Sequence, residues 1–244
     1  MKFVNKIGLL FIIQFYFSLC IAQTDSNKVS YQVKGFIKSD IIMDTRQTVS
    51  AREGFVVLYP AKPDLDENGK DKNEGLIFNQ FATSSRIIFD INQVKSSELK
   101  YRAYLEGDFT GSSNMSYTGF RLRHAYLKID YKKLQLIAGQ YWHPLVAEEV
   151  FPDMIGLNLG NPIKSAIRCP QFRLSYNITD FFKTTVSATS QLDNASIGEL
   201  GSSSIYLRNR AVPNVDIQFQ YKREKFILGL LLDYKELLFT KNDS

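Results

Sequence analysis

Residues 120–154, FRLRHAYLKIDYKKLQLIAGQYWHPLVAEEVFPDM, decide how the rest of the chain is read. Ala125, Leu127 and Ile129 alternate with His124, Tyr126, Lys128 and Asp130. That period of two puts successive side chains on opposite faces of a strand. Tyr131, Lys132 and Lys133 make a turn, and 134–141 reads as a second strand. The segment after it is rich in carboxylates, aromatics and proline and has neither the strand nor the helix period. A hairpin feeding a long inward segment is how a transmembrane β-barrel narrows its pore. The range 142–167 is therefore the expected constriction loop, with Glu148, Glu149 and Asp153 as its acidic lining. Glu148 and Glu149 are adjacent and would point apart on extended chain, so they do not by themselves form an acid–base pair. Trp142, the only tryptophan, fits an interfacial girdle or the packing of a constriction wall.

Arg121 and Arg123 conflict with this hairpin, because they share the parity of the apolar residues Ala125, Leu127 and Ile129. An arginine facing lipid at mid-bilayer costs about 2–4 kcal/mol, falling towards zero at the interface. The sequence thus requires either that both lie at the outer rim or that a β-bulge near Arg123 and His124 switches the parity.

Outward from the hairpin the same alternation recurs over 30–45, 81–91, 99–109, 171–176, 182–191, 215–221 and 226–238, which gives nine strands in all. The first is of membrane length, since a tilted spanning strand needs about 9–11 residues. Connections alternate between long (46–80, 142–167, 192–212, with 110–116 shorter) and short (92–97, 131–133, 177–181, 222–225). This matches the long external loops and short periplasmic turns of outer-membrane barrels, and 46–80 reads as an irregular external loop. The expected fold is all-β: an antiparallel transmembrane β-barrel over 23–244, incomplete at about nine strands. A soluble antiparallel sandwich or barrel with one solvated face, secreted and binding a ligand, is the competing reading. Nine strands cannot close an even barrel, and 239–244 is a polar tail without a terminal aromatic strand. On this reading the chain is a fragment of a longer barrel or a truncated product.

The polar strand faces supply the expected pore lining: Lys34, Lys38, Asp40, Arg86, Lys100, Arg102, Glu106, His124, Lys128, Gln140 and Arg173, with Asp90, Asp108 and Asp130 on the same faces. In a water-filled lumen such groups stay hydrated and set the field a permeating ion meets. They can either order a polar solute or merely solvate the channel.

Composition fits export and a barrel. Residues 1–22 join a basic start (Lys2, Lys6) to an apolar run ending in Cys20-Ile21-Ala22, the pattern of a cleaved secretory signal. Leu19 before Cys20 is too large for lipoprotein processing. Cleavage takes two of the 30 basic residues and none of the 25 acidic ones, leaving a net charge of +3. That is too mild to argue for nucleic acid. Cys169 is then the only cysteine left, so no internal disulfide holds the domain. Sequons at Asn114, Asn177 and Asn194 have no role in a bacterial outer membrane. Aromatics reach 13%, and the mean hydropathy of −0.18 hides any membrane strands, because alternation halves the apolar signal.

Catalytic signals are poor. No G-x-S-x-G, H-E-x-x-H or phosphate-binding loop occurs. A barrel-walled hydrolase would need His124 poised by a serine. Asp64, Asp66 and Asn68 with Gly69 open like a calcium loop, but Gly75 stands where the bidentate glutamate belongs, so a solvated loop tip is the better reading. The expectation is therefore a non-enzyme without cofactor or metal.

Several motifs resemble the DcaP-like outer-membrane porins and their relatives in Bacteroidetes-type bacteria. They are Gly35-Phe-Ile-Lys-Ser-Asp40, Phe120-Arg-Leu-Arg-His-Ala-Tyr126, Gly139-Gln-Tyr-Trp-His-Pro144, Glu149-Val-Phe-Pro152 and Pro170-Gln-Phe-Arg-Leu174. The resemblance implies a trimeric barrel of about 16 strands in the outer membrane of a Gram-negative bacterium. Inward loops would narrow a channel for small, often anionic solutes such as dicarboxylates. Lys38, Arg86, Arg102 and Arg173 match its anion-handling positions. Residues 23–29 are too short for the coiled-coil segment many members carry.

Overall fold

The computed structural model describes residues 29–111, 113–150, 167–192, 195–199 and 201–239. The signal segment 1–22, Asp153 and most of the 142–167 loop lie outside them. The strands in chain order are β1 (Val29–Phe36), β2 (Asp40–Arg46), β3 (Thr48–Ala51), β4 (Val56–Pro60), β5 (Glu74–Phe81), β6 (Arg86–Val94), β7 (Leu99–Asp108) and β8 (Arg121–Tyr131). There follow β9 (Leu134–Trp142), β10 (Arg168–Asn177), β11 (Phe182–Thr189), β12 (Ile197–Gly198), β13 (Gly201–Ser202), helix α1 (Ile205–Arg210), β14 (Asn214–Arg223) and β15 (Phe226–Tyr234). Nine of them form one sheet in the order β1-β6-β7-β8-β9-β10-β11-β14-β15, with every neighbour antiparallel. The sheet is not closed on itself.

Its two faces are partitioned inversely to a water-soluble sheet. Val33, Phe89, Leu105, Phe172, Leu174, Leu228, Leu230 and Leu232 stand exposed, whereas Asp108 and Asp216 are 0% exposed and Asp90 3%. A soluble sandwich hides the apolar face and wets the charged one. Here the apolar face is turned out, as lipid requires, and the charges are turned in.

Two sequence expectations change. The segment 30–45 is not one strand. β1 pairs with β6, but β2 leaves the large sheet and pairs with β5. The ladder breaks at 37–39 and 82–85, where serine hydroxyls replace cross-strand backbone bonds. Ser85 Oγ accepts from the Lys38 amide at 3.0 Å and donates to the Ala82 carbonyl, and Ser84 Oγ donates to Asp40. Consequently 46–80 is not irregular. It holds a β3–β4 hairpin and β5, whose own apolar residues keep the arm folded: Phe55 is buried and meets Phe81 edge-to-face at 5.2 Å. Residues 64–69 form a turn in which Asp66 accepts from the Asn68 and Lys70 amides.

The conflict over Arg121 and Arg123 is resolved by a bulge. Glu106 pairs with His124 and Gly107 with Leu122, which leaves Arg123 as the extra residue. Arg121, Arg123 and His124 then all reach the polar face, and Ala125 onward resumes the outward parity. Close strand approach sits beside it. A Cβ on Gly139, at φ +123°, would lie 2.2 Å from the Ala125 carbonyl oxygen, so only glycine fits there.

Candidate functional site

The polar face carries two groups of residues. The first spans β6–β8. Arg102 forks onto Asp90 (2.8 and 3.0 Å), which Lys34 also approaches at 3.3 Å. Arg86 meets Glu106 at 3.0 Å, Arg121 meets Asp108 at 3.5 Å, and Arg123 bridges both carboxylates at 2.7 Å each. Charge-assisted bonds of this kind are the strong ones, and the lattice fixes the bulge. Next to it, His124 is enclosed by the rings of Tyr104, Tyr126, Tyr141 and Trp142 at centroid distances of 5.1–6.3 Å. Trp142 thus packs on the polar-face cluster rather than standing in a girdle. Charged side chains also act on the His124 ring, Glu106 from one sign and Arg168, Arg123 and Arg86 from the other.

The second group faces the loop after β9. Residues 143–150 fold back over the polar face: Gln218 on β14 donates to the Pro144 carbonyl at 2.6 Å, Tyr141 donates to Glu148 at 2.5 Å, and Lys222 lies 3.8 Å from Glu149. The described part of the 142–167 loop therefore lies against the polar face. Between it and the wall lies a cavity of about 210 Å³, lined by Lys128, Tyr141, Glu148, Glu149, Arg173 and Lys183 among others. Three cations there face two carboxylates. Arg173 is held by Gln171 and the Trp142 carbonyl and lies over the Tyr141 ring. Lys183 was not among the expected lining residues, because β11 reads weakly and its parity is hard to set from sequence.

Other expected lining residues are placed differently. Lys38 pairs with Asp40 at 2.6 Å, and both sit where the chain leaves the nine-stranded sheet. Gln140 is buried and spent on the bulge, donating to the Leu122 and Arg123 carbonyls at 2.9 and 3.1 Å. Extra backbone at a bulge leaves carbonyls that need donors, and Gln140 supplies one. Lys100 is exposed on the polar parity near the short turns. Lys128 pairs with Asp130 at 3.4 Å.

Burial raises the Glu148 carboxyl above its ordinary value, and the Tyr141 hydroxyl and Arg173 offset this only in part. A carboxyl raised in the fold favours the folded state when protonated. Its contribution is fully present below the unfolded value and is lost as pH rises through the raised folded value. The stability of the wild type relative to Glu148→Gln is therefore expected to fall as pH rises through that window. Denaturant midpoints of the two proteins at a series of pH values check this; a difference that stays flat with pH contradicts it.

An inward-polar, outward-apolar antiparallel wall with an infolded loop is the architecture of an outer-membrane β-barrel, present here as an open nine-stranded sheet. No family model matches the chain, and no curated protein does. Among solved structures the chain is similar to the outer membrane channel DcaP of Acinetobacter baumannii, with a TM-score of 0.56 and 20% identity, over 81% of this chain and 50% of that one. It is also compared with a loop L8 deletion mutant of OmpT, an outer membrane protein of Vibrio cholerae, at a TM-score of 0.37 and 11% identity, over 87% and 70% of the two chains. The chain spans about half the length of the DcaP channel. Neither neighbour comes from the Bacteroidetes-type bacteria that the sequence motifs suggested.

Proposed function

We propose that this chain belongs to an outer-membrane porin that passes small polar solutes with a preference for anions, dicarboxylates among them. The observation that carries the reading is the cavity under residues 143–150, where Lys128, Arg173 and Lys183 outnumber Glu148 and Glu149. A narrow, wall-lined space with one sign in excess raises the local concentration of the opposite ion. On the same reading residues 1–22 direct export, the apolar face meets outer-membrane lipid, and the complete barrel assembles as a homotrimer.

Planar-bilayer recording with the detergent-purified protein tests this. The expected result is discrete conductance steps, a reversal potential favouring chloride over potassium, and block of the chloride current by succinate. Extraction into buffer without detergent, or hydrolytic turnover without conductance, would overturn it.

A further inference from the structure

Asp216 and Asp233 lie directly opposite each other on β14 and β15. Like charges in that position repel, and Asp216 is fully buried, so its ionised form needs compensation. Among the described residues, no lysine or arginine nitrogen comes within 4.0 Å of either carboxylate. His143 Nε2 lies 3.6 Å from Asp216 Oδ1. It brings no charge, because the Leu145 amide donates to His143 Nδ1 at 3.2 Å and thereby fixes the neutral ring with its proton on Nε2. Ser187 and Thr189 donate to the other Asp216 oxygen at 3.2 Å.

Asn214 supplies the second observation. Its Nδ2 sits between the carboxylates, 2.5 Å from Asp233 Oδ2 and 3.4 Å from Asp216 Oδ1, while its Oδ1 is buried without a hydrogen-bond partner. The residue is only 6% exposed. A buried orphan acceptor of this kind calls for an explanation. The amide nitrogen occupies the place a cation would take, and turning the amide over brings the orphan oxygen into that place. A cavity of about 190 Å³, lined by His143, Thr189, Asn214, Asp233 and Lys235, adjoins the pair and leaves room for water ligands.

We propose that Asp216, Asp233 and Asn214 form a binding site for a divalent cation of the calcium type at the loop end of β14 and β15. The available donors are hard oxygens, and His143 Nε2 carries a proton directed at Asp216, so the ring orients a ligand rather than acting as one. The site shares no lining residue with the cavity between 143–150 and the wall that holds Arg173 and Lys183.

The test is calorimetric titration of calcium chloride into the full chain in detergent after EDTA dialysis, with thermal melts alongside. One calcium per chain is expected, with a Kd on the order of 10⁻⁴ M and a higher Tm. Asp233→Asn, at an exposed position, is expected to weaken binding about tenfold or more. Asn214→Asp, which adds a third carboxylate, is expected to melt lower without calcium and to gain more from it than the wild type. The absence of calcium heat and of a Tm shift in the wild type overturns the proposal, as does unchanged affinity in Asp233→Asn. A zinc response without a calcium response does so too.

Discussion

Arg123→Ala is expected to lower the unfolding free energy by about 3 kcal/mol. Arg123 is nearly buried and bonded to both Glu106 and Asp108, so its removal leaves two carboxylates short of their shared counter-ion. Breaking a buried pair by deleting one partner typically costs about 3–5 kcal/mol. The lower end applies, because Arg86 stays on Glu106 at 3.0 Å and Arg121 near Asp108 at 3.5 Å. The surface pair Lys132 with Glu98, with both side chains more than half exposed, sets the contrast: Lys132→Ala is expected to cost less than about 1 kcal/mol. Denaturant unfolding of the two variants in the same detergent checks both. Similar costs would mean that the lattice is hydrated like any surface and does not fix the bulge.

If the chain forms the anion-preferring porin proposed above, Arg173→Glu is expected to reverse its ion preference. The cavity under 143–150 carries three cations against two carboxylates, a balance of +1, and the substitution turns it to −1. Lys183→Glu makes the same change without removing the bonds Arg173 gives to Gln171 and Trp142, so it separates charge from packing. Reversal potentials in a potassium chloride gradient should move from favouring chloride to favouring potassium in both. A preference unmoved by either variant would place the selective region elsewhere.

Much of the wall was legible in the chain. The period-two runs of β7, β8 and β9 set their positions to within a residue or two, and the alternation of long and short connections pointed to a barrel wall. The conflict between Arg121, Arg123 and the apolar parity after Ala125 was itself a signal, since charge on the wrong face demands a bulge. What escaped the sequence depends on contacts between distant segments. Nothing local in 30–45 marks the exit from the sheet at 37–39, because it rests on serine side chains 44 and 47 residues further along the chain. Gln140 shares the polar composition of a lining residue, and only the carbonyls of β8 reveal its use. The pairing of Asp216 with Asp233 could have been found by carrying strand parity from Asn214 and Asp216 across the turn to β15. His143 could not, because it reaches them from another hairpin.

The bulge has a consequence for how such a wall can vary. Removing Arg123 altogether, rather than replacing it, would leave Leu122 opposite Gly107 and His124 opposite Glu106, so every flanking side chain would keep its side of the sheet. The arginine is thus an added letter rather than an exchanged one. A barrel wall can acquire an inward charge by lengthening one strand by a single residue, without surrendering any side chain already in place. Differences in strand length, and not only in residue identity, are then a route by which related channels come to carry different interiors.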